Sequence, residues 1–105
     1  MMYEMTLDDL KRVFYRAIEM KQSFVGIRVR IGDLPLDEII INPIENVDAK
    51  LKYYQETYDE NLFHKHASGI RVVDFCYGQS YQDIQDELDY WFIYERIILF
   101  NLTNN

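Results

Sequence analysis

The stretch FVGIRVRIGDLPLDEIIIN, Phe24–Asn42, has the clearest periodicity in the chain. Val25, Ile27, Val29 and Ile31 share one side of its first half, with Arg28 and Arg30 on the other. A period of two is that of a half-buried strand, because successive side chains leave a strand on opposite faces. The arginines are then expected on the wet face. GDLP supplies turn residues, and LDEIIIN, Leu36–Asn42, reads as the antiparallel partner strand. Glu38 is expected opposite one of the arginines, where a cross-strand pair of opposite charge is favourable. Pro43 closes the hairpin.

Helices flank this hairpin. Upstream, Thr6 followed by Asp9 has the spacing of a capping box, and Leu7, Leu10, Phe14, Ala17 and Ile18 then recur at helical intervals. The spacing predicts a helix from Leu7 to Lys21, with Lys11, Arg12 and Arg16 on its outer side. Downstream, Val47, Leu51, Tyr54 and Tyr58 mark a second helix over Asn46–Tyr58. After the polar loop DENLFHKHASG, IRVVDFCY reads as a third strand closed by Gly78. Ser80 and Asp83 repeat the capping-box spacing and open a third helix. On it Tyr81, Ile84, Leu88, Trp91 and Ile98 form a packing stripe, while Asp83, Glu87, Tyr90 and Tyr94, flanked by Asp86 and Asp89, form another. RIILFNL, Arg96–Leu102, reads equally as helix or as a short fourth strand.

These elements give an α+β fold in the order α-β-β-α-β-α. The expected sheet is antiparallel, with three strands, or four if Arg96–Leu102 forms one, and helices mainly on one face. The core is expected to draw on Leu10, Phe14, Ile18, Ile27, Val29, Ile39, Ile41, Leu51, Val72, Phe75, Leu88 and Trp91. With 105 residues and neither a repeat nor a linker, the chain reads as one globular domain over 1–105.

Charge narrows the function. The net charge is −7, and it is uneven: residues 1–52 hold nine acids and eight bases, residues 53–105 nine acids and three bases. An acidic second half argues against direct nucleic-acid binding, which needs cations to displace counterions from phosphates. An apolar fraction of 49% and an aromatic fraction of 15% belong to a folded globule rather than to an acidic tail. Cys76 is the single cysteine, so no internal disulfide forms and a reducing compartment is the natural reading. MMYEMTLDDLKRV has no apolar signal region, and YWFIYERIILF is too short to span a bilayer. The expected location is cytoplasmic, with no membrane contact.

Catalytic readings find little support. His64 and His66 would share a side in a strand, but a zinc site needs at least three ligands in fixed geometry, and Asp59, Glu60 and Cys76 add no recognised spacing. Cys76 lies within VVDFCYG, where a cysteine behaves as a small apolar residue. The acids of the third helix lack the asymmetry that raises one carboxyl for acid–base work. No phosphate-cradling or nucleophile-elbow motif occurs. A non-enzymatic protein without cofactor or metal is expected.

The acid and tyrosine surface remains. Carboxylates on a rigid helix can occupy arginine and lysine sites that normally hold phosphates, and tyrosines add contact area; the same acids can equally serve solubility alone. Asp83, Asp86, Glu87, Asp89, Tyr90 and Tyr94 form the candidate contact face, with Asp59 and Glu60 as its extension.

The order of elements is similar to that of short acidic proteins of phages and prophages of Gram-positive bacteria. IRVRIGDLPLDEIIINPIENVDAKLKYY, Ile27–Tyr54, resembles the hairpin-then-helix stretch of small type II-A anti-CRISPR proteins, through Ile27, Arg28 and Val29, Glu38 to Asn42, and the acid-capped helix that follows. The basic side of the first helix and the apolar C-terminal segment have no counterpart in that family. The resemblance implies an inhibitor that acts by protein contact on a basic, nucleic-acid-binding host protein such as Cas9. It transfers no individual binding residue. The alternative from the residues themselves is a homo-oligomeric accessory or structural phage protein with YWFIYERIILF as its interface.

Overall fold

The structure is a computed structural model, and it describes residues 5–89. The elements are α1 (Leu7–Glu19), β1 (Phe24–Ile31), β2 (Glu38–Pro43), a 3-10 turn (Ile44–Asn46), α2 (Val47–Thr57) and β3 (Ile70–Gly78). A third helix, α3, begins at residue 81 and continues to 89, the last described residue. The α+β order α-β-β-α-β-α read from the sequence is the order found. Trp91, Ile98, the possible fourth strand Arg96–Leu102 and the segment YWFIYERIILF lie outside the described residues.

α1 starts as its sequence dictates. The Thr6 hydroxyl accepts from the Asp9 N–H at 3.2 Å, and Asp9 Oδ2 accepts from the Thr6 N–H at 3.0 Å. The helix stops at Glu19, before the expected Lys21, because the backbone reverses. The Lys21 N–H donates to the Ile18 carbonyl and the Gln22 N–H to the Ala17 carbonyl, with Lys21 at φ 55°. This is a Schellman ending with lysine in the left-handed position that glycine usually fills.

The sheet is antiparallel with strand order β2-β1-β3. Its register pairs Ile27 with Ile40 on one side and with Phe75 on the other. Between Arg28 and Val29 the β3 register slips: Arg28 faces Asp74 while Val29 faces Val72, leaving Val73 as the extra residue of a bulge.

α1 and α2 cover the face carrying Val25, Ile27 and Val29, and Leu10, Phe14, Ala17, Val47, Leu51, Tyr54, Val72 and Phe75 complete that core. Ile18, expected in it, is exposed, while Ala17 takes the buried position. Ile39 and Ile41 are only half-buried, since they lie on the other face of the edge strand.

Two of the three helices thus lie on one face, and the other face is covered in part. α3 lies across it, burying Ile84 and Leu88 completely. Gly26 makes this possible: a Cβ there would collide with Ile84 Cγ2, so a residue without a side chain opens the seat for the helix. Arg28 is therefore not on a wet face. It is 2% exposed, with its Nε 3.2 Å from Asp37 Oδ2 and its guanidinium donating to the Leu88 carbonyl at 3.1 Å. Glu38 stands opposite Val29 rather than an arginine. The acid that meets the arginines is its neighbour Asp37, which takes Arg28 and also accepts from Arg30 at 3.1 Å.

Candidate functional site: the acidic face of the third helix

α3 has the cap its sequence predicts, since the Asp83 N–H donates to Ser80 Oγ at 3.1 Å. Ile84 and Leu88, one helical turn apart, fasten its inner side to the sheet, and Arg28 ties the Leu88 carbonyl to the same surface. The helix is thus held by packing and by a buried cation. Its outward side is fixed as a consequence.

Asp83, Asp86 and Glu87 stand exposed on that outward side, and Asp89 is half-buried. At three- and four-residue spacing their side chains are neighbours, so the helix bears mutual repulsion among them. Among the described residues none of these acids has a basic partner; Arg12 pairs with Asp9, and Arg28 and Arg30 with Asp37. Asp86 accepts a hydrogen bond from the neutral Gln82 amide at 2.7 Å.

Tyr90 and Tyr94 lie outside the described residues. Tyr81, read from the sequence as part of the packing stripe, is instead exposed at 57%. As the first residue of the helix it precedes the turn that reaches the sheet. It leaves at the start of the helix an exposed phenol that periodicity alone assigned to the core.

Asp59 and Glu60 do not extend this face. They follow α2 on the opposite side of the sheet, where the Glu60 carbonyl accepts from the Leu7 N–H at 3.0 Å. The Asp59 carboxylate accepts from the Asn61 and Phe63 N–H groups at 2.9 and 3.0 Å, stabilising a tight turn that contains the buried Leu62 at φ 66°. Its role is structural. A cavity of about 240 Å³ opens beside Glu60, among Thr6, Leu7, Asp8 and Asn61, remote from α3.

The catalytic candidates also find structural uses. His64 Nδ1 accepts from the His66 and Ala67 N–H groups, both at 3.0 Å, so that nitrogen serves the turn. Among the described residues no three metal-ligating side chains converge. Burial pushes the Cys76 thiol up to about 12, with Asp74 and Glu87 adding to the shift, so the thiolate is suppressed.

The chain matches no protein-family model, no curated protein and no solved structure. Among the described residues no helix is long and apolar enough to cross a membrane.

Proposed function

We propose that the protein is a non-catalytic inhibitor that docks through α3 on a basic, nucleic-acid-binding host protein, in the host cytoplasm. The observation that carries this reading is the outward row Asp83, Asp86 and Glu87, exposed and without an ion-pair partner among the described residues. The anchoring of α3 by Ile84, Leu88 and Arg28 supports it, because carboxylates held in place lose little freedom on meeting a cationic cleft. Tyr81 supplies an exposed phenol at the start of the same helix. The resemblance of Ile27–Tyr54 to type II-A anti-CRISPR proteins points to Cas9, whose arginines read a short duplex and whose channel holds nucleic acid.

The test is a DNA-cleavage and binding assay with purified type II-A Cas9. The native chain is expected to bind and inhibit, with affinity falling as salt screens charges beyond about 8 Å. The triple variant Asp83→Lys, Asp86→Lys, Glu87→Lys is expected to lose at least about two orders of magnitude in affinity, since close interfacial charge pairs couple by about 1.5 kcal/mol or more each. Binding that is insensitive to both salt and charge reversal would refute the reading.

A further inference from the structure

The two edges of the sheet are treated differently. Along β3 the segment after α2 covers the first half of the outer edge: the Val72 N–H donates to the Leu62 carbonyl at 3.0 Å, and the His64 N–H to the Ile70 carbonyl at 2.9 Å. Along β2 no described group bonds to the outer edge. Of the helical layer, α1 lies over β3 and β1.

The register identifies the backbone groups that face outward. The Ile44 N–H donates to the Ser23 carbonyl, and Pro43, which has no N–H, sits opposite Phe24. Asn42, Ile40 and Glu38 therefore exchange hydrogen bonds with β1, and Ile39 and Ile41 turn their N–H and C=O groups away from it. Such a row is a template for another strand unless charge, proline or a bulge blunts it. Between Glu38 and Pro43 the residues are Ile39, Ile40, Ile41 and Asn42, with no lysine and no bulge.

We propose that the β2 edge is a self-association site at which a second copy of this chain pairs antiparallel about Ile40. In that register Ile39 meets Ile41 of the other copy in a hydrogen-bonded pair, twice by symmetry, and Ile40 meets its own counterpart between them. Glu38 falls opposite Asn42, so an acid meets a neutral amide and no two like charges are opposed. This matters in a chain of net charge −7, where acidic surfaces such as that of α3 repel a copy of themselves. The half-exposed isoleucines are also what a second strand would cover. Both α3 helices then lie on the same face of one continuous sheet. The inference stands independently of the inhibitor reading.

Sedimentation velocity of the whole chain from low to high micromolar concentration tests it. The native protein is expected to pass from monomer to dimer, and Ile41→Pro, which removes one outward N–H, is expected to remain monomeric with an unchanged circular dichroism spectrum. A second variant covers the case in which Ile41→Pro unfolds. With Cys76→Ser, the substitution Ile40→Cys is expected to form a disulfide-linked dimer on mild oxidation, and Tyr53→Cys in the same background is not. A monomer at every concentration overturns the proposal. So does a dimer that survives Ile41→Pro in a folded protein, or one in which Ile40→Cys fails to cross-link.

Discussion

The guanidinium of Arg28, in the central strand, donates to the carbonyl of Leu88 in α3 across 60 residues of chain. A cation that alternation would place in water thus fixes the position of the helix that bears the acidic face. Its own charge is met by Asp37, whose side chain is 5% exposed. The ion pair lies under the helix, so its members are not interchangeable with surface charges.

Asp37 meets both Arg28 and Arg30, so its loss touches two cations. Removing the acid is therefore more costly than removing the buried base. Asp37→Asn is expected to lower stability by about 3 kcal/mol, because the buried Arg28 and its neighbour Arg30 both lose a carboxylate. Arg28→Met, which leaves Asp37 paired with Arg30, is expected to cost about 1 kcal/mol. Urea unfolding of both variants checks the order, and a larger loss for Arg28→Met would contradict it.

Gly26 provides the seat for Ile84. Gly26→Ala is expected to cost about 1–3 kcal/mol through overpacking. The loss is local to α3: amides of residues 84–88 should exchange faster while those of α1 change little, as native-state hydrogen exchange can show.

Lys21 has a left-handed backbone at the end of α1. Lys21→Gly removes the steric penalty of Cβ there and is expected to raise stability by about 1 kcal/mol, seen as a higher urea midpoint with an unchanged slope.

Burial raises the Cys76 thiol from 9.0 to about 12 and raises the Tyr54 and Tyr58 phenols above 10.0. Each group is kept neutral by the fold and ionises more readily when unfolded. Stability is therefore full below about pH 9 and declines as pH climbs through the folded-state values. Alkaline titration of unfolding should show this decline, with Cys76→Ser starting it later. At pH 8 the native thiol should react with iodoacetamide far more slowly than the unfolded one.

The pattern that was legible in the sequence was local. Thr6 with Asp9, the alternation from Val25 to Ile31, and Val47 with Leu51 and Tyr54 each state an element through its own spacing, and each forms as spaced. The side of the sheet taken by α3 was not legible. It depends on a missing side chain at Gly26 and on Arg28 finding Asp37, both relations between distant or adjacent elements that alternation does not encode. For the same reason Asp59 looked like a surface acid, although its carboxylate is used by the turn that follows it. The outward acids Asp83, Asp86 and Glu87 of the site were readable from helical periodicity; the exposure of Tyr81 was not, because a first-turn residue can precede the part of the helix that reaches the sheet.

The slip at Val73 gives β3 a residue of slack. Removing Val73 would bring Val72 and Asp74 next to each other, as their partners Val29 and Arg28 already are, and every side chain would stay on its present face. Position 73 is thus where the strand can shorten by one unit without trading its inner surface for its outer one.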